Sequence, residues 1–475
     1  MTERGLVRSL GLLQAVALNM SNIVGVGPFI TIPLIIAAMG GPQCMLGWLL
    51  GAILALSDGL VWSELSAAIP ETGGTYAYLK EAFRGTALGG VLPFLFIWQF
   101  VLSGPLEIAS GYIGFAQYAG YFWQGMGATG ARLTCVAVGL LTIALIYRRI
   151  GAVGKLMVVL WSGMLVTVLA VIVSGLSNFD ARLAFDFPPD AFTFSLGFAA
   201  GLGSAMLIAM YDFMGYYDVC YVAGEVCEPQ RVIPRAILIS VVAVSVLYAL
   251  MNLSIIAVVP WREAMQSSYI VTDFMQRLYG PRAASVVTLL VLWTALASVL
   301  ALLLGYSRIA YAAASKGDFF RIFARVHPEG QFPHVAVLVL GGLSIAFSFF
   351  TLGDVISALL TSRIVVQFMG QVAALHLLRR RPGFVLRSGC GSIPCRRSLR
   401  WWGGATSSRR AGGALPPSAW RRWRLGWWRI SCARARSRRR RASRQAVSSR
   451  AESSRARSFR AGSLRARSSR VRSKR

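Results

Sequence analysis

The chain has 475 residues, of which 55% are hydrophobic and only 14% charged. Soluble domains carry about a quarter charged residues, so this balance argues against a soluble enzyme. The net charge of +30 points to a polyanion until it is divided by position. Residues 385–475 hold 27 of the 49 Lys and Arg and one of the 19 Asp and Glu, which leaves residues 1–384 at only +4. The chain divides into an apolar body, 1–384, and a basic tail, 385–475.

A helix needs about 20 apolar residues to cross the hydrocarbon core. Taken in chain order, ten stretches meet that length, near 12–37, 43–66, 88–122, 131–147, 155–176, 194–222, 236–259, 283–304, 334–352 and 355–378. A transmembrane barrel would need short segments of alternating polarity instead. The fold class expected is an all-α polytopic membrane protein. Lys and Arg near the helix ends set its orientation. Arg4 and Arg8, Lys80 and Arg84, the Arg148–Lys155 turn, Arg231 and Arg235, the 305–333 loop and Arg379–Arg381 mark one side as cytoplasmic. The opposite loops are poorer in positive charge, with 260–282 as the exception. Ten spans then place both termini in the cytoplasm, in a cell membrane.

Two spans are interrupted. The first carries Gly25, Gly27 and Pro28 at mid-span, and the sixth carries Gly215 between Asp212 and Asp218, beside Tyr216 and Tyr217. A broken helix frees backbone N–H and C=O groups, which survive in a membrane only against protein or a polar cavity. Breaks at corresponding places in two halves point to a transporter site at a repeat interface, and the first and sixth spans fit two five-helix repeats. Close helix packing at Gly25 and Gly27 is the simpler alternative.

Three stretches then resemble the amino acid–polyamine–organocation family of secondary transporters. They are the Gly25-Val-Gly27 break, the run from Glu64-Leu65 through Pro70 to Gly73-Gly74, Tyr76 and Tyr78, and the loop from Gly224 to Arg235. Ser307-Arg308 with Tyr311, then His327-Pro328, adds a weaker match. The resemblance covers about 8–384. It implies a leucine-transporter-type five-plus-five inverted repeat and an amino acid or polyamine substrate. The family usually has twelve spans, and this chain offers ten.

Ionisable groups within a bilayer are costly and are functional candidates by default. Glu107 in the third span could meet a substrate ammonium or take a coupling proton, and a pair with Arg363 in the tenth span is conceivable. Asp212 and Asp218, six residues apart, share a face only if the chain between them unwinds. Tyr211 falls where the resemblance places an aromatic that closes over substrate, and Trp293 is a second candidate wall. For the substrate carboxylate the backbone N–H groups from Val24 through Gly25 and Val26 to Gly27 are the expected cradle, at the positive end of a half-helix. Carbonyls near Asn22–Ile23 and from Met210 to Gly215 are the expected acceptors for its ammonium. Two carboxylates in place of that symmetry would suit a polyamine. Coupling to protons and exchange without any ion both stay open.

The tail supports three readings: a regulated basic segment for anionic lipid or nucleic acid, an interfacial tryptophan cluster (Trp401, Trp402, Trp420, Trp423, Trp427, Trp428), or an out-of-frame translation. Allowed codons for 388–404, read from the third base, give Arg-Met-Trp-Leu-Tyr-Pro-Val-Pro-Ala-Leu-Val-Ala-Leu-Val-Gly-Trp, which restores an apolar span. A frameshift near Leu386 is therefore favoured, in a chain whose last two helices would be missing, and no nucleic-acid partner is expected. Seven scattered cysteines lack any Cys-x-x-Cys, and His327, His334 and His376 lie apart, so neither a disulfide framework nor a metal site is expected. No nucleophile–base pair or phosphate loop suggests an enzyme, and no cofactor is implied. The rival to a working transporter is a degenerate one, truncated after its tenth helix.

Overall fold

The computed structural model describes residues 8–123, 125–147 and 150–381. The readings of the tail, 385–475, fall outside these residues, as do Arg4, Arg148 and Arg149. Among the described residues the chain forms helices and no strand, with one isolated bridge between Leu10 and Val226.

Seventeen α-helices follow in order. They are α1 (Leu12–Ile23), α2 (Gly27–Met39), α3 (Met45–Ala68), α4 (Thr75–Ala82), α5 (Val91–Ala119), α6 (Ala128–Ile146), α7 (Ile150–Ser177), α8 (Ala181–Ala184), α9 (Leu196–Phe213) and α10 (Asp218–Tyr221). The remainder are α11 (Pro229–Ile256), α12 (Trp261–Ala264), α13 (Ile270–Tyr279), α14 (Pro281–Ser315), α15 (His334–Phe347), α16 (Leu352–Arg363) and α17 (Met369–Arg380). A π-helical turn, Ile364–Phe368, joins the last two.

The starts are legible locally. Pro229 and Pro281 sit in the first turns of α11 and α14, where a missing N–H costs nothing. Ser195 and Thr351 cap α9 and α16 by accepting from Phe198 N and Asp354 N.

Among the described residues, eight helices or joined helices are long and apolar enough to span, and α1 with α2 form a ninth, bent by 44°. The ninth predicted span differs from expectation. Its helix is 14 residues and ends at Phe347, not near 352. At 1.5 Å per residue that is about 21 Å, short of a 30 Å core. Beyond Phe347 the chain turns through 348–350, with Phe349 N and Phe350 N bonding back to Ala346 O and Phe347 O, before α16 begins at Leu352.

Exposed leucines and valines such as Leu133, Leu140, Val166, Val173 and Leu289 give the bundle an apolar exterior suited to lipid. Inside, helices meet through small residues, as in other membrane bundles. A Cβ on Gly47 or Gly51 of α3 would lie 2.7 or 2.8 Å from the Cβ of Ala205 or Ala209 on α9.

The ends that carry most of the positive charge are tied together. Lys80 of α4 meets Asp318 at 2.6 Å, Lys316 pairs with Glu71, and Arg379 pairs with Glu64. Arg381 reaches Glu81 at 3.4 Å and donates to Ala82 O and Arg84 O. This network joins the second, eighth and tenth spans across one face. At Asp318, partial burial pushes the carboxyl up, but hydrogen bonds from Lys80 and Tyr76 and the charges of Lys80 and Lys316 outweigh it, so the net shift is downward. A depressed carboxyl contributes stability above its unfolded value of about 3.9, which is lost as pH falls through the folded value. Asp318→Asn is thus expected to lower the melting temperature slightly at pH 7, and the gap to wild type is expected to close below about pH 4. Tryptophan-fluorescence melts of solubilised protein at pH 7 and pH 3 check this; a gap unchanged at pH 3 would refute it.

Candidate functional site

The first and sixth spans break side by side, and side chains hold the two breaks together. α1 ends at Ile23, Gly25 N bonds back to Ile23 O at 3.0 Å, and α2 begins at Gly27 with Pro28 in its first turn. In the sixth span α9 ends at Phe213 and Gly215 takes φ +109°, a conformation natural only to glycine. The chain resumes as α10 at Asp218. Asn19 bridges the breaks, donating from Nδ2 to Tyr216 O at 2.7 Å and accepting from Val219 N at 2.9 Å. The Tyr248 hydroxyl on α11 lies 2.7 Å from Ile23 O and 3.2 Å from Asp212 O, so it covers a freed carbonyl on each side.

Between the breaks lies a cavity of about 30 Å³, lined by Asn22–Ile23, Gly25–Gly27, Glu107, Ser110, Tyr211, Asp212 and Ser298, with Gly111, Met214 and Leu302. The lining is polar in a specific way. Among the described residues, Asn22 Nδ2 and Asp212 Oδ1 are buried with no partner, and no acceptor is found for Val26 N–H or Gly27 N–H. Buried polar groups are ordinarily satisfied, so unmatched donors and an unmatched acceptor around one cavity point to a polar ligand that completes them.

Asp212 is held in place from its other oxygen, Oδ2, which accepts from Thr31 at 2.5 Å. Tyr211 meets Ser110 at 2.9 Å and is poised at the edge of the cavity. Glu107 is engaged beyond it. Its Oε2 accepts from Arg363 Nη1 at 2.6 Å and from the Tyr306 hydroxyl. Arg363 also reaches the Tyr217 and Tyr306 hydroxyls at 3.1 and 3.2 Å, yet its Nη2 has no partner.

Eight of the twelve residues singled out by sequence line this cavity: Asn22, Ile23, Gly25, Val26, Gly27, Glu107, Tyr211 and Asp212. Val24 and Gly215 shape the breaks beside it. Asp218 is buried against Gly305, away from the lining, with both carboxyl oxygens unpartnered. Trp293 is elsewhere: it packs on Gly163 of α7, donates to Leu160 O at 3.0 Å and is 40% exposed. It cements α7 to α14 and is no wall of this site.

The expected carbonyl acceptors are mostly occupied. Asn22 O takes Ser298 Oγ, Ile23 O takes Gly25 N and Tyr248, and the Tyr211, Asp212 and Gly215 carbonyls each hold a donor. Asp212 Oδ1 is a fully buried carboxylate oxygen in the lining with no partner among the described residues. Asn19, Thr31, Ser110, Tyr248 and Ser298 were not singled out by sequence. A lone neutral polar residue in an apolar span gives no signal of which face it occupies.

Comparison with known proteins places this geometry. A family model described as amino acid permease matches residues 10–384. The serine/threonine exchanger SteT of Bacillus subtilis is 25% identical over 80% of this chain and 85% of its own. The Asc-type amino acid transporter 1 of Mus musculus is 27% identical over 71% of this chain and 64% of its own. Among solved structures, MhsT in complex with L-phenylalanine superposes with a TM-score of 0.56 at 16% identity, over 78% of this chain and 89% of that one. The fold is that of the leucine-transporter type.

Proposed function

The chain belongs to the amino acid permease family, whose work is amino acid transport across a membrane, and from that premise we propose a finer reading: it exchanges small zwitterionic amino acids by alternating access at the joined helix breaks. The observation that carries it is the set of unmatched polar groups around one cavity. Asn22 Nδ2 and the Val26 and Gly27 N–H groups are donors suited to a carboxylate. Asp212 Oδ1 is an acceptor suited to an ammonium. Donors at a helix start favour an anion, and the α2 start supplies them. Tyr211 at the rim is placed to close over a small side chain.

Exchange is supported by the relative named a serine/threonine exchanger. The basic face, with Lys80, Arg84, Arg231, Arg235 and Lys316, supports a cytoplasmic location for that side and for both termini, in the cell membrane. The full chain reconstituted in liposomes and preloaded with unlabelled serine is expected to accumulate labelled serine or alanine, and empty liposomes are expected to take up little. No accumulation in preloaded vesicles overturns the reading. Uptake into empty vesicles driven by an inward proton gradient replaces exchange with proton coupling.

A further inference from the structure

Two carboxyls reach the cavity, and a site with two free carboxyls would suit a diamine as well as a zwitterion. The structure distinguishes them. Each is held at one oxygen, but the partners differ: Glu107 Oε2 meets the Arg363 cation at 2.6 Å and accepts from Tyr306, whereas Asp212 Oδ2 has only the neutral Thr31 hydroxyl and Oδ1 has no partner. Arg363 is fully buried, 0% exposed, and a cation taken that deep is tolerated only against a counter-charge and hydrogen-bonding groups. It has both. Tyr217 and Tyr306 accept from Nη1, and the rings of Phe100 and Tyr306 lie 5.5 and 5.2 Å from the guanidinium carbon. It is also the last residue of α16, directly before the π-helical turn Ile364–Phe368, and such turns concentrate at functional sites.

We propose that Arg363 sets the charge class of the substrate: by compensating the charge of Glu107 it leaves one uncompensated carboxyl in the cavity, so the site takes amino acids with a single ammonium and rejects a second cationic group. Arg363 acts through Glu107 and is a specificity-determining residue. The inference rests on the transport reading above. It predicts that the protein itself discriminates against ornithine and putrescine, although Glu107 alone reads as a cation site. Without Arg363, Glu107 is an uncompensated carboxylate beside the cavity, and a cationic side chain is the partner available to it.

The test is counterflow in liposomes with labelled serine and labelled ornithine, for the full-length protein and for Arg363→Gln, Arg363→Lys and the double variant Glu107→Gln/Arg363→Gln. In the wild type, excess ornithine or putrescine is expected to leave serine counterflow nearly unchanged. In Arg363→Gln the ornithine-to-serine rate ratio is expected to rise by about tenfold or more, a difference of one decade in relative affinity. Arg363→Lys is expected to retain the wild-type ratio, because the charge stays. The double variant is expected to lose the ornithine gain, because the carboxylate has gone. A purely structural role for Arg363 would lower both rates together and leave their ratio alone, and that result overturns the proposal. Strong inhibition of wild-type serine counterflow by putrescine overturns it without any variant, which keeps the test decisive if Arg363→Gln fails to elute as a folded protein. Wild-type protein that moves neither serine nor alanine defeats the transport reading itself, and is recognised as such because it appears before any variant is compared.

Discussion

Arg308→Met is expected to cost about 3–5 kcal/mol of stability, the usual consequence of removing one partner of a buried ion pair. Arg308 on α14 is 1% exposed and Glu225, in the loop after the sixth span, is 0% exposed. The guanidinium grips both carboxyl oxygens, Nε to Oε1 at 3.0 Å and Nη2 to Oε2 at 3.5 Å. Its Nη1 donates to Leu304 O and Ser307 Oγ. Glu225 in turn offers its backbone carbonyl to Ser9 N and Leu10 N, and Cys227 N closes the bridge on Leu10 O. One ion pair therefore fixes the eighth span, the end of the broken sixth span and the segment leading into α1. Methionine leaves Glu225 charged with nothing to compensate it, so the loss exceeds that of the contact. The control is the double variant Arg308→Met/Glu225→Leu. Two apolar groups of similar volume are expected to recover most of the loss, because both desolvated charges have gone. Melts of the solubilised single and double variants check this. A single variant that melts with the wild type, or a double variant no better than the single one, would contradict the account.

The spans were legible because lipid forces the chain to declare them in runs of about 20 apolar residues. The breaks were legible for a related reason, since glycine and proline inside such a run have few uses other than interruption or close packing. The ninth span was overextended because Ser348, Phe349 and Phe350 continue an apolar pattern through a turn that hydropathy cannot register. The site was partly legible. Glu107 and Asp212 stood out as carboxyls in apolar sequence, and their different fates did not. One is held by an arginine 256 positions away in the chain and the other by Thr31, and long-range partnership leaves no local mark. Trp293 was overvalued for the same reason. An aromatic at mid-span looks alike whether it faces a cavity or a glycine on the next helix. Asn19 and Tyr248, which clasp the two breaks, are single polar residues whose role exists only once both broken spans are side by side.

Gly27→Val is expected to reduce amino acid counterflow on the order of a hundredfold, the scale on which a misplacement of about 1 Å acts in a preorganised site. The backbone at Gly27 needs no special conformation, so the requirement is for space. A Cβ there would lie 2.7 Å from Asp212 Oδ1 and 3.5 Å from Tyr211 Cε1, at the free acceptor and beside the rim aromatic. A side chain at this point displaces the carboxyl proposed to receive the ammonium and covers the N–H groups proposed to receive the carboxylate. Overpacking costs about 1–3 kcal/mol, less than a bundle of this size needs to unfold. Gly25 is similarly confined, with Ser298 Oγ 2.5 Å from its virtual Cβ, and Gly25→Ala is expected to act in the same direction. Gly59, whose virtual Cβ meets methyls of Ile237 and Val241 at 3.4 and 3.5 Å and a ring carbon of Tyr216 at 3.9 Å, all ordinary contact distances, supplies the control. Gly59→Ala introduces a methyl into an apolar contact with Ile237 and Val241 of α11, away from the cavity lining, and is expected to keep counterflow within about twofold, because surrounding packing accommodates one methyl at that separation. Initial rates in preloaded liposomes, normalised to protein that elutes as a single species, measure the contrast. Equal losses at Gly27 and Gly59 would mean that glycine serves packing throughout, and the cradle at the first break would have to be abandoned.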